Sequence, residues 1–377
     1  MNEKNRTPRT ERGIYDIAVA GGGFAGSLTA IQLARRGFRV VVLERGKQIG
    51  QETRSGGVSS IEWWRLLGET EPPPFLQRLE FCERVLFTPD GAVKRRVAGP
   101  ELYAFERSEL DKYLLGRMEA EGIEIRENFN VEGLVEDPRG FCYVRSAGRN
   151  LRARVTVVAT GTDEQLLIRC RFIDNRTRRR VRIVCQEHLL WEADTAPATK
   201  GDITFFSNVP GITHCTGYLL RINGHAYLVF SGVVDGSSLS DWTFKPREIA
   251  SWVRNHTELA FRLRGAQLFE WRTRMVGTEP PLRRPLYGSN FLLVGDAALP
   301  MGGTPPWGSG FRWAALTARE AATVLTRALP SPTRLRLRAY AERLAPVSRR
   351  AAWAVRRTYL ENRLAGSLAA FLARLPW

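Results

Sequence analysis

Cysteine and histidine are scarce in this chain, and neither follows a ligand pattern. The five cysteines and four histidines are scattered, and no C-x-x-C pair occurs. An odd, scattered set of cysteines argues against a disulfide framework and a zinc site, and it favours a reducing, cytoplasmic environment. We therefore expect no metal ion. The cysteines are Cys82, Cys142, Cys170, Cys185 and Cys215.

Long apolar runs are also missing. No segment has the roughly 18 consecutive apolar residues of a membrane-spanning helix. The first 13 residues lack the apolar core of a secretory signal. We predict that residues 1–13 are disordered.

Acidic residues are too few to balance the basic ones. The chain has 39 Asp and Glu against 56 Lys and Arg, a net charge of +17. An anionic partner such as a membrane surface or a phosphorylated substrate would suit this excess, and so would a generally arginine-rich proteome. We expect no nucleic-acid partner, because no nucleic-acid-reading module is recognisable.

The chain does have a glycine-rich turn near its N-terminus. An apolar strand over residues 14–20 is followed by Gly21, Gly23 and Gly26, a helix, and a second apolar strand that ends at Glu44. Gly21 permits the tight turn, Gly23 lets a pyrophosphate approach the backbone, and Gly26 lets helix and strand pack closely. Helix N–H groups would hold the phosphates, and Glu44 would bind ribose hydroxyls. The pattern predicts a dinucleotide site.

Two later segments indicate which dinucleotide binds. Residues 155–161 and 291–298 each contain a buried-type strand that ends at a glycine. Asp296 can accept a hydrogen bond from a ribityl hydroxyl, and the N–H groups of the helical run from Phe311 can face a flavin. The segment Arg107-Ser-Glu-Leu-Asp111 adds an R-x-x-x-D pattern.

Three marks, which are the N-terminal glycine motif, the Arg107–Asp111 pattern and the Gly295-Asp296 pair, resemble the FAD-dependent oxidoreductases of the hydroxybenzoate-hydroxylase fold. The resemblance covers most of residues 14–330 and implies FAD as the cofactor. It implies that the following residues surround FAD: Gly21, Gly23, Phe24, Ala25, Gly26, Glu44, Arg45, Arg54, Arg107, Thr160, Gly161, Gly295, Asp296, Gly308, Gly310 and Phe311.

The expected fold class is α/β, with a Rossmann-like FAD-binding domain interleaved with an α+β substrate domain built on an antiparallel sheet. We assign residues 14–162 and 286–345 to the FAD-binding domain and residues 163–285 to the substrate domain. Residues 346–377 would form a C-terminal amphipathic helix. Asn223-Gly224 and Asp90-Gly91 both predict hairpins.

Within the superfamily, the chain most resembles geranylgeranyl reductases. The segment Arg54-Ser-Gly-Gly-Val-Ser59 is similar to their C-G-G-[IV]-S motif, with Ser55 where those enzymes often carry cysteine. The resemblance implies a mostly apolar substrate, such as an isoprenoid lipid, whose C=C bonds are reduced by hydride from reduced FAD. Candidate cavity residues are Ser55, Trp63, Tyr218 and Trp307. The sequence identifies no catalytic acid or base.

Departures from the family pattern leave alternatives open. Thr160-Gly161 stands where many related hydroxylases have Asp-Gly, which puts direct NADPH use in doubt. The electron donor is therefore either NAD(P)H or a ferredoxin-type carrier protein. Flavin halogenases carry a lysine beside their hypohalous-acid tunnel, after the glycine motif, and a W-x-W-x-I-P segment. This chain has no lysine between Lys47 and Lys94 and no W-x-W-x-I-P segment, so halogenation is disfavoured. A flavin monooxygenase, an FAD-dependent dehydrogenase or oxidase, and a non-catalytic lipid- or anion-binding protein remain as rivals.

The C-terminal segment from Arg349 to Trp377 predicts a basic amphipathic helix. A leucine-rich stripe is flanked by arginines, as in helices that lie on anionic bilayers. The helix could equally pack on its own FAD domain. The expected location is cytoplasmic, with peripheral attachment to the inner membrane face where the helix lies on the bilayer. The stripe is Leu360, Leu364, Leu368, Phe371 and Leu375.

Overall fold

The computed structural model describes residues 13–51, 56–60, 62–88, 91–96, 101–137, 139–147, 149–163, 165–172, 180–191, 201–207, 209, 216–235, 246–255, 257–277, 286–298, 309–329 and 332–363. It confirms the α/β fold class. The predicted disordered terminus lies outside these ranges, except for Gly13. No helix within the described ranges combines the length and the apolar character that crossing a bilayer requires.

The strands of the described part of the chain are β1 (Ile14–Ala20), β2 (Val40–Leu43), β3 (Gly56–Ser60), β4 (Gln77–Arg78), β5 (Phe81–Thr88), β6 (Gly91–Arg96), β7 (Leu102–Glu106), β8 (Glu124–Arg126), β9 (Gly133–Asp137), β10 (Phe141–Ser146), β11 (Arg149–Val158), β12 (Arg180–Leu190), β13 (Asp202–Ser207), β14 (Thr216–Ile222), β15 (His225–Asp235), β16 (Gln267–Gly277) and β17 (Phe291–Leu293). The helices are α1 (Phe24–Ala34), α2 (Glu62–Arg65), α3 (Arg107–Ala120), α4 (Gln165–Arg169), α5 (Pro246–Asn255), α6 (Thr257–Ala260), α7 (Ser309–Ala328) and α8 (Arg334–Arg363).

The first sheet is the Rossmann-type sheet. Its strand order is β8-β2-β1-β11-β10-β9, and β17 also pairs with β11. Strands β1 and β2 are apolar along most of their length and buried throughout, as expected for parallel strands covered on both faces. Helices α1, α3 and α7 pack over this sheet and share its largest core. The carboxyl ends of β1, β2, β11 and β17 therefore meet at one edge.

The second sheet has the order β16-β12-β15-β14-β13-β5-β6. One face packs against α5 and α6, and the other packs against a small third sheet of order β3-β7-β4. The Asn223-Gly224 turn joins β14 to β15 as predicted. Both of its residues have positive φ, 47° and 76°, the conformation of a two-residue hairpin turn.

The structure corrects the predicted domain boundaries at β5 and β6. We assigned residues 14–162 to the FAD-binding domain, but this hairpin belongs to the second sheet. Strand β5 runs parallel to β13, with Phe81 opposite Asp202. The hairpin itself was recognisable from local residues, whereas its pairing with a strand far along the chain leaves no local signal.

The helix that we predicted from residue 346 begins earlier, at Arg334. Helix α8 continues from Arg334 to Arg363 without a break, although Pro346 lies inside it. Leu337, Tyr340 and Leu344 are fully buried in the FAD-domain core, so the first half of this helix is part of that domain. Residues 364–377, which carry most of the leucine stripe, lie outside the described residues.

Candidate functional site

The glycine turn between β1 and α1 has two positions that only glycine fits. Gly21 has φ of +110°, and a Cβ there would lie 2.5 Å from the carbonyl oxygen of Ala159. A Cβ on Gly26 would lie 2.0 Å from the carbonyl oxygen of Gly21. Both contacts are with backbone, which cannot move aside without breaking the β1–β11 or β1–α1 packing.

Gly23 differs from its two neighbours in the motif. Its φ is −73°, and a Cβ built on it meets no atom within 4 Å. Gly23 is the N-cap of α1, and the first turn of that helix carries no acidic side chain. The space above Gly23 therefore faces the partial positive charge at the N-terminus of α1, which attracts an anion such as a pyrophosphate.

Glu44 follows β2 and is held by two backbone donors. Gly22 donates its N–H to Oε2 at 2.8 Å, and Gly46 donates its N–H to Oε1 at 2.8 Å. These bonds fix the carboxylate at the edge of the sheet, and each oxygen keeps a lone pair for a ligand hydroxyl.

A cleft of about 430 Å³ opens at this edge of the sheet. Arg45 forms an ion pair with Asp163 across it, and the Thr160 hydroxyl donates to the carbonyl oxygen of Asp163 at 3.1 Å. Gly161, at φ of +63°, begins the loop that carries Asp163. The predicted site residues in its wall are Gly21, Gly23, Glu44, Arg45, Thr160 and Gly161.

A second cleft of about 230 Å³ adjoins the first. Both are lined by Gly23, Ala159 and Gly161, so together they form one elongated groove over the glycine turn. The predicted site residues that line the second cleft are Gly23, Phe24, Ala25, Arg107, Gly161, Gly295, Asp296, Gly310 and Phe311.

Arg107 is fixed in the second cleft by two contacts. Its Nε donates to Oδ1 of the buried Asp111 at 3.0 Å, and its guanidinium lies 5.0 Å from the centre of the Phe311 ring. The i, i+4 spacing of the R-x-x-x-D pattern on α3 therefore orients a cation toward the groove.

Gly295 brings β17 close to α1. Its φ is +63°, and a Cβ there would lie 2.7 Å from Cβ of Ala25. Its N–H donates to Thr317 Oγ1 at 2.9 Å, which fastens the turn to α7. Asp296 is thereby placed at the groove wall.

Four of the predicted site residues lie outside the described residues. They are Arg54, Ser55, Trp307 and Gly308. Tyr218 is half-buried on the face of the second sheet that meets the third sheet, with its ring 5.9 Å from that of Phe205.

Trp63 is corrected. It is only 1 % exposed and lies in the FAD-domain core, edge-on to Phe24 at 5.3 Å and to Trp64 at 5.7 Å. An aromatic residue on a short helix after the glycine-rich segment has the same sequence signature whether it faces the core or a cavity.

Sequence reasoning missed residues in the wall of the first cleft. These come from the loop after β8, from the loop before α4 and from α4 itself, and they carry no motif. The parallel pairing of β8 with β2 brings this loop to the same sheet edge as Glu44. The missed residues are Phe129, Asn130, Val131, Asp163, Gln165, Leu166 and Arg169.

The groove fits FAD. An elongated cleft over a glycine turn has an open helix N-terminus for the pyrophosphate and a fixed carboxylate for the adenosine ribose. At its other end, Arg107 and Asp296 supply a cation and a carboxylate beside the space next to Phe311.

Comparisons with known proteins agree with this assignment. The model of the family described as FAD dependent oxidoreductase matches residues 16–86. A probable electron transfer flavoprotein-quinone oxidoreductase, YgcN of Escherichia coli, is 26 % identical over 302 residues, which are 75 % of this chain and 69 % of that protein. A digeranylgeranylglycerophospholipid reductase of Methanococcus vannielii is 24 % identical over 294 residues, 75 % of this chain and 70 % of that protein.

Solved structures show the same fold. A geranylgeranyl bacteriochlorophyll reductase-like protein from Thermoplasma acidophilum has a TM-score of 0.71 at 18 % identity, covering 96 % of this chain and 88 % of that chain. The flavin-dependent brominase Bmp2 has a TM-score of 0.68 at 17 % identity, covering 96 % and 89 %. Because reductases and halogenases share the fold, the fold alone does not select the reaction. Residues 16–86 thus match the FAD-dependent oxidoreductase family, and the chain has a Rossmann-type flavoprotein fold with FAD as its cofactor.

Proposed function

We propose that this flavoprotein reduces C=C bonds of a mostly apolar, isoprenoid-like substrate. The observation that carries the proposal is the apolar character of the second sheet where it faces the FAD domain. Ile203, Phe205 and Val229 on that face pack with residues of β3 and β7. Val184 and Tyr218 lie half-buried at the margin of this cluster.

The half-buried margin of this cluster, at Val184 and Tyr218, suits a hydrocarbon chain better than a charged substrate. Apolar area removed from water contributes about 25 cal/mol per Å². The nearby hydroxyls of Thr216 and Ser231 lie 3.3 Å apart and hydrogen-bond to one another. The similarity to a digeranylgeranylglycerophospholipid reductase supports a substrate of this class.

FAD, when bound and reduced, supplies a hydride. The protein's own residues bind the pyrophosphate at Gly23 and the ribose at Glu44, and Arg107 and Asp296 flank the path towards Phe311. The second sheet covers the substrate and excludes water, which favours transfer to carbon over side reactions.

A carrier protein is the proposed source of electrons. Thr160 uses its hydroxyl to bind the backbone of Asp163, and it offers no carboxylate for positioning a nicotinamide. The similarity to a probable electron transfer flavoprotein-quinone oxidoreductase supports a protein redox partner.

Alkene saturation is testable without knowing the physiological donor. We expect the FAD-loaded protein, reduced by dithionite without oxygen, to saturate a geranylgeranyl lipid at its isolated double bonds. Mass spectrometry should show one H₂ gained per bond reduced. A preparation from which FAD has been removed is the control and should leave the lipid unchanged.

The same lipid distinguishes the rival functions. Oxygen incorporated into the product, in the presence of air and NADPH, would establish a monooxygenase instead. Binding of the lipid without turnover under either condition would establish a lipid-binding protein. The brominase of the same fold makes halide-dependent product formation a further measurement, with bromide omitted as its control.

We also propose that the basic C-terminal segment holds the protein to an anionic membrane surface. Arg356 and Arg363 flank the leucine stripe in the sequence. Each basic residue near an anionic leaflet contributes about 1 kcal/mol, and salt screens the attraction. Reversing both charges to glutamate should weaken co-sedimentation with phosphatidylserine vesicles about tenfold or more. Reversing the exposed Arg65 and Arg145 is the matched control, and equal loss in both variants would reject the anchor.

A further inference from the structure

A carboxyl group lies where the FAD domain meets the second sheet. Glu106 ends β7 and is the N-cap of α3. The next residue, Arg107, lies in the wall of the second cleft. In the third sheet it pairs with Gly56 of β3. A Cβ on Gly56 would lie 2.5 Å from the Tyr227 ring, so β15 packs directly on this strand. Glu106 is half-buried in this junction.

Tyr227 holds the carboxyl in one orientation. Its side chain is fully buried, and its hydroxyl donates a hydrogen bond to Glu106 Oε1. Burial and the neighbouring Glu106 charge raise the pKa of Tyr227, so the phenol keeps its proton and remains the donor. Because Oε1 accepts this bond, Oε2 is the oxygen that can carry a proton.

A histidine pair completes the cluster on the same sheet face. His188 lies opposite Tyr227 on the neighbouring strand, and their rings stack with centres 4.5 Å apart. Nε2 of His188 and Nδ1 of His225 are 2.8 Å apart, so one nitrogen donates to the other. Glu270 lies opposite His188 on β16 and is ion-paired with Arg272 at 2.8 Å.

The surroundings raise the pKa of Glu106 above its ordinary value. Burial, the largest influence, raises the pKa of Glu106, and the charge of Glu109 raises it further. The Tyr227 hydrogen bond and the charge of His225 act in the opposite direction. The raised value results from their balance, because burial outweighs the two groups that stabilise the carboxylate.

Resting on the proposed function, we propose that Glu106 is the acid that protonates the substrate, with Tyr227 as its positioning residue. The π bond of the alkene breaks, and the hydride forms a C–H bond at one carbon. The proton of Glu106 Oε2 forms the C–H bond at the other carbon. The alkene is reduced, the flavin is oxidised, and Glu106 is left as a carboxylate. Solvent reprotonates it from its half-exposed side.

Three other carboxylates of the described structure have different partners. Glu44 accepts two backbone N–H groups at the ribose end, and Asp111 is held by Arg107. Glu270 is paired with Arg272 on the far strand of the sheet. Glu106 combines a raised pKa, a neutral hydrogen-bond donor and a place at the domain junction.

The test compares Glu106→Gln and Tyr227→Phe with Tyr103→Phe. Tyr103 also donates to a glutamate, Glu101, at 3.4 Å, but it faces the FAD-domain core from the opposite side of β7. All variants are checked for FAD content by visible absorbance. We expect Glu106→Gln to lower kcat for alkene reduction by dithionite-reduced protein about 100-fold with little change in KM.

The pH profile separates proton delivery from a structural role. Wild-type kcat should fall as pH rises through the raised pKa of Glu106, because the acid must be protonated. Tyr227→Phe removes a donor that stabilises the carboxylate, so this fall should move to higher pH. Tyr103→Phe should leave it in place. An unchanged profile in both Glu106→Gln and Tyr227→Phe would overturn the assignment.

A second measurement needs no substrate. Infrared difference spectra of FAD-loaded wild type minus Glu106→Gln should show a protonated carboxyl band that disappears above the ordinary glutamate range, whose reference pKa is 4.5. Absence of this band overturns the assignment of Glu106 as the acid, whatever the substrate is. Its presence in a protein that saturates no alkene supports the acid and rejects the proposed reaction. Saturation at an equal rate in wild type and Glu106→Gln rejects the role of Glu106 as the acid and leaves the proposed alkene reduction standing.

Discussion

Replacing Gly23 with valine should abolish FAD binding and leave the apoprotein folded. Gly23 has an ordinary φ of −73° and open space where its side chain would project, so the chain itself tolerates a larger residue. The valine methyl groups would instead occupy the space that the pyrophosphate needs. We expect FAD affinity to fall at least about 100-fold, which corresponds to about 2.8 kcal/mol.

Gly26→Val is the matched comparison in the same motif. Its Cβ would collide with the carbonyl oxygen of Gly21 at 2.0 Å, so the apoprotein itself should lose about 3 kcal/mol or more of unfolding free energy. Flavin-fluorescence titration measures binding, and thermal unfolding without FAD measures the fold. Wild-type FAD affinity in Gly23→Val, or equal destabilisation of both apoproteins, would contradict the assignment of the groove.

Reduction of the bound flavin by NADPH should be slow and should not discriminate against NADH. Thr160 offers no carboxylate to hold the nicotinamide beside the flavin, and a nicotinamide that is not held there loses a proximity advantage worth up to about 7–11 kcal/mol. We expect reduced ferredoxin or dithionite to react at least about 100-fold faster than either nicotinamide. Anaerobic stopped-flow measurement of FAD absorbance compares the four donors directly.

Position 160 provides the control for this prediction. Thr160→Ser keeps the hydroxyl that binds the Asp163 carbonyl, and it should leave all four rates unchanged. Thr160→Asp restores the Asp-Gly pair of the related hydroxylases and should raise the NADPH rate selectively. Fast, saturable reduction of the wild type by NADPH alone would defeat the prediction and favour a single-component hydroxylase.

Local chemistry explains what the sequence could predict. The glycine spacing around Gly21 and the acid at Glu44 follow from steric and hydrogen-bonding needs within a short segment, and the Asn223-Gly224 turn follows from two residues. Because each of these requirements involves residues close together in the chain, the sequence alone reveals it. The described structure puts Gly21 and Glu44 at one sheet edge, as the motif requires.

Contacts between distant segments explain what the sequence could not predict. Glu106 and Tyr227 are 121 positions apart, and neither belongs to a motif. Trp63 has the local pattern of a cavity residue, yet its environment is set by Phe24 on another helix. Such pairings depend on how sheets pack, and sheet packing is decided by the sum of many weak apolar contacts.

The parallel pairing of β5 with β13 constrains the biogenesis of the protein. Strand β13 cannot complete the second sheet unless the chain that begins at Phe81 is already present and extended beside it. Pairings between such distant segments fold slowly, because loop closure costs entropy before contacts form. A nascent chain that has emerged only as far as β11 therefore exposes β5 and β6 as an unpaired hairpin. That hairpin is the segment we expect a ribosome-associated chaperone to cover.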